Sequence, residues 1–382
     1  MTDKQLFDWN PREDTVLGDQ RSAYDDMRER CPVAHSEFLG WSLFRHDNIS
    51  AVLADPATYS NATKRRTIPN GMDAPEHTLY RRALEPYFAA EQMAAFEPTG
   101  RQIAVDLMQE LVSRKDVEVV SQFSEELSLK MHCAFIGWPA EKWEHLRGWT
   151  HGNMQAAFSQ DRTAGKQLAL DFAGYVKEAL RERREHGFTG TDDLTSSLMS
   201  LKVDGKPLSD DDIVSVLRNW TAGHGTLAAS IEILVLHLAQ HSDMQSRLRS
   251  EPELLPAAID EILRVDGPLV ANRRTTTRDV EIGGRAIAAG ESLSLMWIAA
   301  NRDEEAFDNA EDVRLDRDPG GNLVFGAGIH DCVGAPLARL DMRVAMEELL
   351  GRTTAIEIVQ DGAPERVVYP SNGLRALTVR FS

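Results

Sequence analysis

Cysteine is scarce in this chain: Cys31, Cys133 and Cys332 stand alone among 382 residues, with no CxxC spacing. That scarcity argues against a disulfide framework and a zinc ribbon, and it leaves one of the three free to do chemistry. Positive charge is short as well. Lys and Arg number 42 against 60 Asp and Glu, a formal net charge of −18, so the long-range field repels nucleic acid and anionic lipid. No stretch of about 18 uncharged apolar residues occurs, and the N-terminus, MTDKQLFDWNPRED, lacks a basic segment followed by an apolar run. The expectation is a cytoplasmic protein with no membrane span. Internal repeats, low-complexity tracts and long linkers are also missing, which favours a single domain over residues 1–382, and 42% hydrophobic residues can build a large core.

What the chain does have is helical periodicity. Apolar residues recur at helical spacing over 76–88, 91–114, 121–136, 165–186, 209–240 and 252–265, and again over 333–350. Ser209 followed by Asp210, Asp211 and Asp212 supplies an N-cap and three carboxylates at the positive end of a helix dipole. Beyond 268 the texture changes. Val280 and Ile282 alternate before Gly283 and Gly284 as in a hairpin, and 353–381 is β-branched and alternating. Helices at about 76–265 and 333–350, flanked by β-containing N-terminal and C-terminal parts, predict a mainly α (α+β) fold.

Two segments stand apart from this pattern. WTAGHGTLAAS, at 220–230, places Gly223, His224, Gly225 and Thr226 in the middle of the longest predicted helix. Each interior glycine costs about 0.5–1 kcal/mol against alanine, so something other than helix stability favours them. FGAGIHDCVGAPLAR, at 325–339, sets Gly326, Gly328 and Gly334 around Cys332, which leaves room for a flat group to approach the backbone. Cys332 stands where the next helix begins, and free N–H groups there favour a thiolate, a good axial ligand for iron. A glycine-rich turn with an ordinary apolar cysteine is the alternative. A phosphate loop is disfavoured because neither GxGxxG nor GxxxxGK is present, and His330 with Cys332 offers only two of the four ligands a structural zinc needs.

The second segment is similar, at every specified position, to the haem-binding signature FGxGxHxCxGxxLAR of the cytochrome P450 superfamily. Further motifs follow in that family's order. DEILR at 260–264 resembles ExxR, with Glu261 and Arg264 on one helix face as a structural ion pair. DAPEHTLYRR at 73–82 resembles D-x-P-E-H-T-x-x-R-R, and ANRD at 300–303 also matches. The loop FDNAEDVRLDR keeps Phe307, Asp308 and Arg317 but has Ala310 and Val313 where proline and phenylalanine are usual, so a slightly altered meander is expected.

The resemblance implies a haem-thiolate enzyme of bacterial type, with haem b (iron protoporphyrin IX) bound by the Cys332 thiolate. Phe325, Gly326 and Ala222 would line the haem, and His77, Arg81, Arg274 and His330 would meet its propionates. It implies a monooxygenase that inserts one oxygen atom from dioxygen into a small organic substrate. Electrons would come from a separate ferredoxin or flavodoxin-type donor with its reductase, docked near Arg82, Arg339 and Arg343. In the family pattern A-G-x-[D/E]-T an acid precedes the oxygen-site threonine, here Thr226, but Gly225 holds the acid's place. His224 either substitutes as proton carrier or faces the other side of the helix and satisfies a backbone carbonyl; water above Gly225 is the competing relay. A peroxide-driven peroxygenase and a haem protein without turnover are the alternative functions. The connection Ser60–Asp73 is short for the loop over the haem's distal face, which implies an open mouth or a missing helix. Lys64, Arg65 and Arg66 lie there, either as a solvated loop or as a patch for an anionic or peptidic substrate.

Overall fold

The computed structural model describes residues 8–64, 66–187, 190, 193–359 and 364–382. Its frame is helical. The helices that matter for the site are α1 (Glu76–Leu84), α2 (Ala90–Leu111), α3 (Glu125–Ile136), α4 (Trp143–Ser159), α5 (Arg162–His186), α6 (Asp210–Gln240), α7 (Leu255–Val265) and α8 (Ala335–Arg352). α6 runs 31 residues from a capping box in which Ser209 and Asp212 satisfy each other's backbone N–H, with Asp210 and Asp211 beside it. By length and composition α6 could cross a membrane, but 67% of its most apolar window is buried inside the protein. It is the core helix, packed against α3, α4, α5, α7 and α8.

The sheets are small. One has five strands in the order β1 (Val33–Ser36), β2 (Gly40–Leu43), β8 (Ser292–Met296), β5 (Ala271–Thr276) and β3 (Tyr59–Ser60). A second joins β4 (Val117–Glu118), β10 (Thr378–Phe381) and β9 (Ile356–Ile358). The predicted hairpin is present as β6 (Val280–Ile282) and β7 (Arg285–Ile287), turning through Gly283 and Gly284 at φ +55° and +73°.

Three expectations needed adjustment. The stretch 121–136 opens with a π-helical turn at Val120–Ser124 before α3 begins. Among the described residues, 353–359 and 364–381 form the two short strands β9 and β10, and the segment between them is held by isolated bridges at Arg366, Ser371 and Leu374. Helices at Gln20–Arg30, His46–Ala54, Trp143–Ser159 and Ser242–Ser250 add to those predicted.

Candidate functional site

The loop 325–332 folds back so that the Cys332 N–H donates to the Phe325 carbonyl at 2.8 Å. Gly326 and Gly328 take φ of +70° and +73°, which side chains rarely adopt, and a Cβ on Gly328 would stand 2.6 Å from the Leu53 carbonyl oxygen. The Arg339 guanidinium covers the outer face of Phe325 at 4.4 Å from the ring centroid. Cys332 is exposed, yet the surrounding loop desolvates its thiol and raises the pKa, while the N–H of Gly334 and the Arg81 charge pull it back toward the thiolate. All three cysteines are free.

Phe88 links this loop to α6. Its ring lies 5.1 Å from that of Trp220, and its edge is 3.9 Å from where a Cβ on Gly334 would stand. Trp220 is therefore core. Along α6, buried residues continue to Thr221, but Ala222 and Gly223 are exposed and Gly225 and Thr226 half-buried. A Cβ on Gly223 would meet nothing within 4 Å. The centre of the core helix thus presents a bare, side-chain-poor groove.

Four nitrogen-bearing side chains from three elements gather beside the cysteine loop. His77 and Arg81, one turn apart on α1, meet His330 of the loop and Arg274 of β5. The His77 and His330 ring centroids are 4.2 Å apart, and among the described residues no ring nitrogen of either has a hydrogen-bond partner. Burial lowers both pKa values, that of His330 to about 4, with His77, Arg274 and Arg81 adding repulsion. Arg274, 7% exposed, donates among the described residues to the Asn61 side-chain oxygen at 3.1 Å and its neighbour's carbonyl at 2.8 Å. Arg81 is held by Glu85 and by Asp331 at 2.7 and 2.8 Å. Buried donors left without acceptors are costly, and this group suits an anionic ligand carrying carboxylates, as the haem propionates do.

Glu261 and Arg264 form the opposite kind of site. They pair at 2.8 Å with side-chain exposures of 7% and 1%. Arg264 also donates to the carbonyls of Asn301, Ala310 and Asp312, and Arg317 donates to Glu261 at 2.6 Å. Phe307 packs beneath Arg264 at 4.9 Å. The meander is closed despite Ala310 and Val313.

Of the two placements open to His224, the structure has the second. Its ring bonds the Ser128 backbone on α3 and lies 3.9 Å from the His132 ring, away from the groove. Burial pushes its pKa down to about 3, so it stays neutral near neutral pH. This argues against His224 as the proton carrier. Arg339 is paired with Asp260, and Arg343 with Glu97 and Glu347, whereas Arg82 is exposed. Arg66 is engaged by Tyr80, Glu76 and Asp212; Arg65 lies outside the described residues. Residues 61–64 and 66–75 contain turns and no helix. Sequence reasoning missed Asn61, the partner of Arg274, and a cavity of about 470 Å³ beside α6 that Gly225 and Glu232 both line.

The sequence profile of cytochrome P450 matches residues 146–367. A cyclomarin C epoxidase of Salinispora arenicola is 33% identical over 355 residues, spanning 87% of this chain and 88% of its own. The mycinamicin IV hydroxylase/epoxidase of Micromonospora griseorubida is 29% identical over 372 residues, with 92% and 91% covered. Among solved structures, a mutant of P450 EryK in complex with erythromycin B gives a TM-score of 0.87 at 26% identity over 96% of this chain and 97% of that one. P450BioI in complex with an acyl carrier protein ligated to hexadec-9Z-enoic acid gives 0.87 at 27% identity, with 96% and 99% covered. Sequence and fold agree on an oxidoreductase that uses haem b, a small-molecule substrate and a redox partner as a monooxygenase, and the chain belongs to the cytochrome P450 family.

Proposed function

We propose that Cys332 supplies the axial thiolate of this monooxygenase, that His77, Arg81, Arg274 and His330 bind the propionates, and that Ala222, Gly223 and Thr226 line the oxygen site. The observation that carries this assignment is the pair of imidazoles, His77 buried and His330 half-buried, whose four ring nitrogens are buried and, among the described residues, unpartnered beside two arginines and the cysteine loop. Haem b with a thiolate ligand supplies the reductive activation of dioxygen and the transfer of one oxygen atom to substrate. The chain does the rest. The backbone N–H of Gly334 favours the thiolate, and Gly326, at φ +70°, lets the loop turn beside it. The Ala222–Gly223 groove leaves space for a diatomic molecule against the helix, and the Thr226 hydroxyl donates a hydrogen bond there.

For the substrate we infer a bulky, mainly neutral organic molecule. Relatives named for cyclomarin C and mycinamicin IV support that size class. Residues 61–64 and 66–75 hold no helix, in keeping with an open mouth, and Arg66 is already paired with carboxylates, which weakens the anionic-substrate reading. A ferredoxin or flavodoxin-type donor would meet the side carrying Arg82, since Arg339 and Arg343 are engaged internally. The same reading places the enzyme in the cytoplasm.

Reduced protein under carbon monoxide should show the strongly red-shifted Soret band of a thiolate complex, and Cys332→Ser should abolish it. A histidine-type spectrum in the unaltered protein would overturn the assignment. A type I spectral-shift screen spanning macrolides, terpenoids, short peptides and small aromatic acids then identifies the substrate class.

A further inference from the structure

Beyond its first turn α6 carries a single carboxylate, Glu232, in the apolar run SIEILVLHL. The residue is 4% exposed. One oxygen accepts the Leu374 N–H at 2.7 Å and the other the Ser124 hydroxyl at 3.1 Å; no cation pairs with it among the described residues. Gly225, Ala228, Ala229 and Glu232 fall at i, i+3, i+4 and i+7, so they form one stripe of α6. That stripe is a wall of the 470 Å³ cavity. The rest of the lining includes Glu125 and Ser128 of α3, Arg147, His151 and Met154 of α4, and Glu118 and Arg375. At about 30 Å³ of liquid volume each, many waters fit, and the lining offers them polar partners. The cavity therefore spans the two turns between Glu232 and the position where the family's acid is missing, about 10 Å along the axis.

We propose that Glu232 is the proton store that replaces the acid absent at Gly225, passing protons through this cavity to Thr226. The proposal rests on the haem-thiolate reading for the consumer of those protons. Burial, with the carboxylates of Glu125 and Glu118 nearby, raises the Glu232 pKa to about 7, so it both holds and releases a proton near neutrality. The groups that face it are Ser124, Glu118, Glu125, Arg147, His151 and Arg375, and His224 on its own helix is neutral. His151 provides the entrance. It is half-exposed and hydrogen-bonded to Glu125, which raises its pKa. Each oxygen insertion consumes two electrons, from the redox partner, and two protons. Glu232 gives one proton to cavity water and becomes a carboxylate; solvent returns it by way of His151 and Glu125. Glu232 acts through Thr226 and touches no reacting atom.

The test uses the haem-loaded protein in two arms. In the first, infrared spectra across pH should show a protonated-carboxyl band that titrates near pH 7 and is missing in Glu232→Gln. In the second, dioxygen uptake driven by reduced ferredoxin is followed in water and in deuterium oxide. Glu232→Gln, which keeps an acceptor for the Leu374 N–H, should lower uptake by roughly 10²-fold, the lower end of acid–base contributions, with a larger solvent isotope effect and no inflection near pH 7. Gly225→Asp in the Glu232→Gln background should restore uptake, since a Cβ at Gly225 meets only the Met154 sulfur, at 3.5 Å. Unchanged uptake, isotope effect and pH profile in Glu232→Gln, with the red-shifted carbon monoxide band intact, would overturn the proposal. Absence of that band from the unaltered protein overturns the haem-thiolate reading instead, and the infrared arm still decides whether Glu232 holds a proton. Should Glu232→Gln not fold, Ala228→Leu, which plugs the cavity, must slow uptake while leaving the carboxyl band in place; unchanged uptake there refutes the relay.

Discussion

The Glu261–Arg264 pair is buried and the His77–His330 pair joins a buried ring to a half-buried one, yet what separates them is that they are built on opposite rules. Every charge in the first is answered: Arg264 by Glu261 and three carbonyls, Glu261 by Arg264, Arg317 and the Arg314 N–H. Burial raises the Glu261 pKa, but the hydrogen bonds from Arg264 and Arg317 outweigh it and keep the carboxylate charged. Among the described residues, the second pair has no hydrogen-bond partner for either ring. A buried polar group that is satisfied holds the fold together, whereas one left unsatisfied stores affinity for something that will satisfy it.

The largest effect should come from breaking the closed pair. Arg264→Leu removes one partner of a buried ion pair and strips three backbone carbonyls of their donor, which should cost about 3–5 kcal/mol. Denaturant unfolding of the variant checks this; a loss under 1 kcal/mol would mean that the pair is not needed to hold the meander against α7.

Glu232 stands between the two extremes, hydrogen-bonded but with no cation. Its folded pKa, about 7, lies above the ordinary 4.5, so the native state binds more protons than the unfolded chain between those values. Stability from this residue is full below about pH 4.5 and is lost as pH rises through 7. Relative to Glu232→Gln, the native protein should lose about 3 kcal/mol across that window. Unfolding midpoints measured at several pH values in both proteins give the difference directly, and a constant difference would place the Glu232 pKa at its ordinary value.

The closed pair was legible in the sequence because it is written locally, whereas His77 and His330 lie 253 residues apart and only the family resemblance of their two motifs brought them together. Glu261 and Arg264 sit three residues apart, His77 and Arg81 four apart, and the glycines around Cys332 crowd within nine residues. Spacing of that kind survives translation into helix faces and tight loops. Glu232 was not legible, since Ser124 and Leu374 lie 108 and 142 residues away and the cavity wall is assembled from three helices together with segments around Glu118 and Leu374. The one signal was a lone carboxylate in an apolar helical run. Helix α4 was obscured for a different reason: Gly148 and Gly152 dilute its pattern, though Gly152 serves packing, as a Cβ there would meet Leu168 of α5 at 3.1 Å. The orientation of His224 also required tertiary contacts with α3, because consecutive helix positions diverge by about 100° and either neighbour could have faced the groove.

The smallest effect should have the reverse sign. In the haem-free protein, His77→Phe removes two buried nitrogens that lack partners and fills the space with an apolar ring, so stability should rise by about 1 kcal/mol or stay level. In the haem-loaded protein the same change deletes a donor to the ligand, and haem should dissociate several-fold faster, roughly 1 kcal/mol of lost hydrogen bonding. Unfolding of the apo form and haem transfer to apomyoglobin measure the two halves separately. A variant less stable in both forms would show His77 to be a structural residue like Arg264, and the contrast between the closed and open pairs would fail at that position. A variant more stable when empty and leakier when loaded would show that the α1 histidine is kept for its ligand at the expense of the fold.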